Sequence, residues 1–340
     1  MDIPQRPRRN RRTPAIRAMV AETRLDVGQL IYPLFLHNDP IDVALDSLPG
    51  QTRWSLDGLV GEVGRALALG IDKVVLFPKI DDEYKSDSAE EAYNDEGLIP
   101  RAIRAIKQKH PSVCVITDVA LDPYSADGHD GLVSDDGVIE NDATVEVLVK
   151  QALCHAEAGA DIVAPSDMMD GRVAAIREVL DDAGYQHVSI MAYTAKYASA
   201  YYGPFRGALD SAPKASGSGT SGGKIIPGDK KTYQMDPANV REALREVELD
   251  EDEGADFVMV KPAGPYLDVV RAVREHTHLP VAAYQVSGEY LMIKSAAASS
   301  GGGWVDEKAV IMESLLGIRR AGADVILTYF APRVAAWLAE

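Results

Sequence analysis

The sequence has little cysteine, no long apolar run and a shortage of positive charge. It contains two cysteines, Cys114 and Cys154, in 340 residues, and two thiols cannot form the disulfide framework of a small secreted protein. No run of about 18 apolar residues occurs, so we expect no membrane-spanning helix. The charged N-terminus is not followed by an apolar core, so we expect no secretory signal peptide.

Negative charge dominates the chain. The formal net charge is −17 at pH 7, which opposes non-specific attraction to nucleic acids and anionic membranes. The one basic segment is RPRRNRRTPAIR (6–17). It could bind nucleic acid or act as a targeting signal, or it could belong to an arm, residues 1–25, that packs on a neighbouring subunit. Because the rest of the chain is acidic, we favour the subunit contact and expect no nucleic-acid partner.

Strand-like and helix-like segments alternate along the rest of the chain, residues 26–340. Eight short runs are almost entirely apolar, as is typical of parallel strands buried on both faces. This alternation predicts an α/β fold of the (β/α)8 TIM-barrel type, with an open doubly wound sheet as the alternative. The predicted strands are residues 30–36, 73–78, 113–121, 160–166, 189–195, 255–261, 281–287 and 323–331. Helical patterns lie between the strands, for example at residues 56–69, 143–158, 172–183, 239–251, 266–276 and 306–321.

Two lysines end predicted strands. Lys196 follows SIMAYTA (189–195), and Lys261 follows ADFVMV (255–260). Burial and a nearby cation both favour the neutral amine, and neutral lysine forms Schiff bases with carbonyl compounds. Since barrel enzymes place their active sites at the C-terminal ends of the strands, we expect both uncharged amines to face one cavity. Other polar residues at predicted strand ends are Asp118, Asp122, Ser166, Asp167, Ser287 and Tyr329.

Two polar loops are long enough to be functional or disordered. They are residues 79–97 and 211–229, and the second is rich in glycine and serine. A lid over the lysines, near 211–230, is one interpretation, and a simple flexible insertion is the other. The acidic stretch TDVALDPYSADGHDG (117–131) suits hard cations such as Mg²⁺. No CxxC or HExxH motif supports a closed zinc site.

Five motifs in order resemble the porphobilinogen synthase (5-aminolevulinate dehydratase) family. They are SDMMDGR (166–172), MAYTAKYASAYYGPFR (191–206), MVKPAGPY (259–266), YQVSGEY (284–290) and LTYFA (327–331). The resemblance implies a lyase of tetrapyrrole biosynthesis that condenses two 5-aminolevulinate molecules through two Schiff bases. It also implies a TIM barrel whose N-terminal arm wraps a partner subunit, usually in a homo-octamer.

The resemblance also implies roles for individual residues. Lys261 would bind the first substrate and Lys196 the second, with Asp118 moving protons beside them. Ser287 and Tyr329 would hold the first substrate's carboxylate. The second would be held by Arg206, Lys230 and Gln234.

Zinc-dependent members of the family have three cysteines where this chain has Ala120, Asp122 and Asp130. The resemblance therefore places the chain in an aspartate-rich branch with allosteric Mg²⁺ and no catalytic Zn²⁺. Glu246 matches the usual magnesium ligand, with Asp170 as a weaker candidate. Whether Asp122 and Asp130 hold a metal is left open.

The sequence also allows expectations about cellular location and about rival functions. Because the match starts near Met1 we expect a bacterial-type cytoplasm, with the plastid stroma as the alternative. The rival functions are a class I aldolase with one Schiff-base lysine, a nucleic-acid-associated protein and an inert barrel.

Overall fold

Eight parallel strands form a closed barrel. The computed structural model describes residues 3–213, 224–299 and 304–340. The first and last barrel strands pair with each other, with Leu30 opposite Ile326 and Ile31 opposite Leu327. In an open doubly wound sheet these two strands would be separate edges. The pairing therefore confirms the predicted (β/α)8 barrel.

Strands and helices are numbered here in chain order. The strands are β1 (Leu30–Leu36), β2 (Val43–Ala44), β3 (Thr52–Trp54), β4 (Lys73–Pro78), β5 (Cys114–Val119), β6 (Ile162–Pro165), β7 (Ser189–Lys196), β8 (Phe257–Lys261), β9 (Val281–Gln285) and β10 (Val325–Thr328). All belong to the barrel except β2 and β3, which form an antiparallel pair beside β1. The helices are α1 (Pro14–Met19), α2 (Leu56–Ala68), α3 (Leu98–Lys109), α4 (Asn141–Ala158), α5 (Arg172–Asp182), α6 (Gly203–Leu209), α7 (Arg241–Asp252), α8 (Leu267–His276), α9 (Ser287–Ser299), α10 (Glu307–Ala321) and α11 (Ala331–Leu338).

Local chemistry sets where the elements begin and end. Every residue of β1 is buried, as expected for a strand covered on both faces. Helix α2 begins after Ser55, whose side chain accepts a hydrogen bond from the backbone N–H of Gly58 and so satisfies one free amide of the first turn. Helix α4 ends at Gly159, where φ is 105°, a backbone conformation that favours glycine.

The sequence-based prediction missed several elements. It did not name α1, α3, α6, α9 or α11, nor the short β2–β3 pair. It also extended strand β9 to Ser287, whereas β9 ends at Gln285 and Ser287 begins helix α9. Residues 79–97 contain two 3-10 turns, at Asp82–Tyr84 and Glu90–Tyr93. Of the predicted lid, residues 214–223 lie outside the described residues.

The N-terminal arm makes little contact with the barrel. No residue from 3 to 29 is buried. Its contact with a partner subunit remains a prediction. Within the described ranges, no helix is long and apolar enough to cross a membrane. Cys114 and Cys154 are both free thiols.

Candidate active site

The C-terminal ends of four neighbouring strands meet at one small cavity. It is lined by Asp118 from β5, Ser166 after β6, Lys196 from β7 and Lys261 from β8. Its volume is about 30 Å³, which leaves room for about one water molecule. Lys196 and Lys261 lie directly opposite each other in the β7–β8 pairing. The prediction that both lysines share one cavity is therefore confirmed.

The amine of Lys261 lies among aromatic rings. Its Nζ is 4.8–5.2 Å from four ring centroids; the rings belong to Tyr193, Tyr202, Phe205 and Tyr284. Burial lowers the pKa of Lys261 to about 7, and the nearby charge of Lys196 adds to the shift, while Asp118 opposes it. An amine with this pKa is neutral, and therefore nucleophilic, in a substantial fraction of molecules at neutral pH.

Lys196 has the opposite electrostatic setting. Its Nζ donates a hydrogen bond to Oδ2 of Asp130 at 2.7 Å and another to the carbonyl oxygen of Ser166. Burial acts to lower the pKa of Lys196, but Asp130, Asp122 and Asp118 together outweigh burial and raise it. Lys196 is therefore an ammonium here. The expectation that both amines are uncharged was wrong for this lysine, because sequence did not reveal its carboxylate partner.

The charges of both lysines act on the carboxyl group of Asp118. Burial raises its pKa to about 7, and Lys261 and Lys196 limit the rise. Its Oδ1 atom is buried and has no hydrogen-bond partner among the described residues. A carboxyl group with this pKa can both donate and accept a proton near neutral pH, as general acid–base catalysis requires.

Asp130 binds the basic groups of the site together. Lys230 donates to its Oδ1 at 2.5 Å, and Lys196 and Gln234 donate to its Oδ2 at 2.7 and 3.4 Å. Burial alone would raise the pKa of Asp130, but the two ammonium groups hold it well below its ordinary value. Asp122 lies 3.5 Å from Lys230. With both Asp130 oxygens engaged, the donor set does not fit a metal ion, and the expectation of one at Asp122 and Asp130 gains no support.

Comparisons with known proteins agree with this geometry. The sequence profile of the family described as Delta-aminolevulinic acid dehydratase matches residues 4–337. The chain belongs to the delta-aminolevulinic acid dehydratase family. A chloroplastic delta-aminolevulinic acid dehydratase of Physcomitrium patens is 59% identical over 338 residues, covering 99% of this chain and 74% of the relative. One of Selaginella martensii is 58% identical over 338 residues, covering 99% and 77%.

A solved structure of the same family superposes closely. It is the delta-aminolevulinic acid dehydratase (porphobilinogen synthase) of Toxoplasma gondii ME49, in complex with the reaction product porphobilinogen. It has a TM-score of 0.92 and 53% sequence identity, and the match covers 98% of this chain and 92% of that chain. Fold and family are thus shared along nearly the whole sequence.

The other residues expected from the dehydratase family are only partly at the cavity. Arg206 on α6, Lys230 and Gln234 line it. Tyr329 and Ser287 do not line it directly. The Tyr329 hydroxyl is hydrogen-bonded to that of Tyr284 at 2.9 Å.

Ser287 and Asp167 have structural partners in this conformation. The Ser287 hydroxyl accepts from the backbone N–H of Phe205 at 3.0 Å and donates to the carbonyl oxygen of Tyr201 at 3.3 Å. Asp167 accepts from the backbone N–H of Met169 at 2.8 Å and lies 3.7 Å from Arg172. Asp167 therefore supports the loop after β6 rather than the cavity.

Sequence reasoning missed the aromatic rings around Lys261. Tyr202 and Phe205 lie in the YYGPFR motif, in which only Arg206 was predicted to bind substrate. Tyr193 is three residues before Lys196, a spacing that places two residues on opposite faces of a regular strand. An apolar strand followed by several aromatic residues could have indicated the ring cluster, but not its position around one amine.

The different pKa values of the two lysines predict different pH profiles for chemical labelling. We expect acetylation of Lys261 by acetic anhydride to rise with a midpoint near pH 7, because its lowered pKa leaves neutral amine there. Acetylation of Lys196 should stay low across the same range, because its pKa is raised. Peptide mass spectrometry between pH 5 and pH 9 would measure both. A Lys261 profile that shows no midpoint near pH 7 would contradict the pKa assignment.

Proposed function

We propose that this chain condenses two molecules of 5-aminolevulinate into porphobilinogen, with loss of two waters, through Schiff bases on Lys261 and Lys196. The observation that carries the proposal is the pair of lysines placed opposite each other at the ends of β7 and β8 and facing one cavity. Membership of the delta-aminolevulinic acid dehydratase family supplies the reaction. The amines supply the covalent attachment that a condensation of two ketones needs.

Lys261 would react first. Its neutral amine attacks the ketone carbon of one substrate and forms a carbinolamine. The carbinolamine oxygen then takes a proton and leaves as water, and the C=N bond of the Schiff base forms. Asp118 is suited to give that proton because its pKa is raised to about 7. The resulting carboxylate would stabilise the protonated Schiff base beside it.

Lys196 must lose a proton before it can attack the second ketone. The charge of Lys196 is stabilised mainly by Asp130. When a substrate carboxylate takes over Lys230, Asp130 loses one of its two cations and supports the charge of Lys196 more strongly. Lys196 would therefore need a proton acceptor, and the Asp118 carboxylate left by the first Schiff base is suited to that role. Attachment of the second substrate would thus follow formation of the first Schiff base, with Arg206, Lys230 and Gln234 as the groups that hold its carboxylate.

The first substrate's carboxylate would be held by Ser287 and Tyr329. Both hydroxyls have internal partners, so binding would require them to exchange one hydrogen bond for another. Hydroxyl groups can do this because they rotate and both donate and accept. The alternative of a class I aldolase uses one Schiff-base lysine and leaves the second buried lysine without a role.

Reductive trapping tests the proposed reaction. With 5-aminolevulinate and borohydride, we expect a covalent adduct at Lys261, read by mass spectrometry. Lys261→Met should abolish that adduct and lower turnover by roughly three orders of magnitude or more, since a covalent nucleophile has no substitute. Exposed Lys109→Met should leave both unchanged. The absence of any adduct at Lys261 or Lys196 in the unmodified protein would defeat the proposal.

Neighbouring lysines provide a matched test of carboxylate binding. Lys230 is buried and bonded to Asp130, whereas Lys231 has a side chain 73% exposed beside Asp229. We expect Lys230→Met to raise KM by roughly 10–100-fold, the loss of a charge-assisted contact. Lys231→Met should change KM less than about twofold, as is usual for surface positions. Steady-state porphobilinogen formation measures both, and equal effects would contradict a role for Lys230.

We also propose that Mg²⁺ binds away from the lysines, near Glu246 on α7. Burial raises the pKa of Glu246 to about 7, opposed by Arg172 and reinforced by Asp250, Asp170 and Glu242. A cation there would relieve this accumulation of carboxylates. Glu246, Glu242 and Asp170 border a cavity of about 460 Å³, and Mg²⁺ would act by stabilising this region.

The donor set fits Mg²⁺ only with water ligands. No group of three or more His, Cys, Asp or Glu side chains in the described ranges converges closely enough to hold an ion by itself. Mg²⁺ usually keeps several waters and takes one or two carboxylates. Glu246 directly and Asp170 through water match that preference. No catalytic Zn²⁺ is proposed, because Ala120 has no donor atom.

Removal of the Glu246 charge should abolish magnesium binding at this site. We expect Glu246→Gln to lose the heat of Mg²⁺ binding in isothermal titration after EDTA treatment and to lose any stimulation of turnover. Glu248→Gln, two residues along the same helix and paired with His276, is the control and should bind normally. Unchanged binding in Glu246→Gln would refute the assignment.

Assembly and location are further proposals. The arm exposes Met19 by 84% and Val20 by 49%, and apolar side chains of this kind suit contact with a partner subunit; we propose a homo-oligomer, with an octamer as its size. The relatives are named chloroplastic, which favours the plastid stroma. The expectation of a bacterial-type cytoplasm has no support from them.

A further inference from the structure

Strand β7 contains an irregularity beside the cavity. Its pairing with β8 shifts register between Ala192 and Ala195, which is the signature of a β-bulge. In a regular strand, residues three apart point to opposite faces. A bulge adds one residue and re-aims a side chain. Tyr193 and Lys196 therefore both face the barrel interior, and the Tyr193 ring lies 4.9 Å from Nζ of Lys261.

The hydroxyl of Tyr193 differs from those of the other tyrosines around Lys261. The Tyr202 hydroxyl donates to the carbonyl oxygen of Lys261 at 3.1 Å, and those of Tyr284 and Tyr329 bond to each other at 2.9 Å. The Tyr193 hydroxyl is buried and has no partner among the described residues. Buried hydroxyl groups are almost always hydrogen-bonded, so one without a partner calls for an explanation.

A second unpartnered atom belongs to the same part of the site. Oδ1 of Asp118 is also buried and free of hydrogen bonds within the described ranges. Asp118 acts electrostatically on both Tyr193 and Lys261, and the Tyr193 ring lies beside the Lys261 amine. One hydroxyl donor and one carboxyl oxygen thus lack partners on the two residues that adjoin Lys261.

We propose that Tyr193 is a further catalytic residue, whose hydroxyl donates a hydrogen bond to the ketone oxygen of the substrate that Lys261 attacks. This proposal rests on the proposed function. As the nitrogen of Lys261 bonds to the ketone carbon, the C=O π electrons move onto oxygen, and the hydroxyl of Tyr193 stabilises that charge. The oxygen takes the amine's proton to give the carbinolamine. A proton from Asp118 then releases it as water, leaving Asp118 as a carboxylate and the Schiff-base nitrogen protonated.

Tyr193 acts in this step as a hydrogen-bond donor and not as an acid. Burial and the nearby Asp118 raise the pKa of Tyr193 well above its ordinary value, so it keeps its proton throughout. The hydroxyl of Tyr193 would lose no competing hydrogen bond when substrate binds, because it has no partner among the described residues beforehand.

The test is the rate of Schiff-base formation in the full-length Tyr193→Phe protein. We expect borohydride trapping of 5-aminolevulinate at Lys261 to slow by roughly 10–1,000-fold in single-turnover experiments, as for loss of a donor to a developing oxyanion. The midpoint of Lys261 acetylation against pH should not move by more than about half a unit, because the ring stays in place. Tyr197→Phe, whose lost hydroxyl bonds to the carbonyl oxygen of Asn239, is the control and should react at the normal rate.

Thermal stability separates this proposal from a structural role. Removal of an unpartnered buried hydroxyl should leave the melting temperature of Tyr193→Phe unchanged or raised. Slow trapping with a lowered melting temperature, or a protein that does not fold, would overturn the proposal in favour of a structural role. Normal trapping in Tyr193→Phe would also overturn it, while leaving the proposed function intact. If the unmodified protein forms no adduct at Lys261, both proposals fail together.

Discussion

The chemistry of this protein depends on the removal of water from one amine at the end of β8. The four rings around Lys261 provide no strong hydrogen-bond acceptor for an ammonium. The lowering of its pKa from 10.5 to about 7 corresponds to roughly 5 kcal/mol of lost support for the charged form. The barrel can hold such a group only because its closed sheet and buried core fix the surrounding side chains. In the proposed reaction, this unfavourable burial would make Lys261 the nucleophile.

The two lysines illustrate how neighbours of one strand pair obtain different charge states. Both are buried at the same level of the barrel. Burial acts downward on both pKa values, and the difference arises from Asp130, which is hydrogen-bonded to Lys196 and only a more distant charge for Lys261. A charged Lys196 in turn disfavours charge on Lys261. Because of this asymmetry, Lys261 would react before Lys196 in the proposed reaction.

Sequence was sufficient for the barrel and for the identity of the two lysines. Near-continuous apolar runs indicate buried parallel strands even when the neighbouring strands are unknown. A lysine that ends such a run must either face the open end of the barrel or lose its charge. The charge of Lys196 was not predictable, because Asp130 is 66 residues away along the chain and no local pattern joins them. Tyr193 was missed for a related reason. Alternation in a regular strand assigns it to the wrong face, and a bulge depends on the register of the neighbouring strand.

The small cavity implies that substrate binding replaces contacts that already exist. About 30 Å³ cannot accommodate two substrate molecules, and the space is filled by the ion pairs of Asp130 with Lys196 and Lys230. A substrate carboxylate has the same charge and geometry as the Asp130 side chain, so it can take over Lys230 without leaving a buried cation unpaired. After the exchange Asp130 has lost one of its two cations and supports the charge of Lys196 more strongly. Capture of the second ketone would therefore need a proton acceptor for Lys196, and the Asp118 carboxylate left by the first Schiff base is suited to that role.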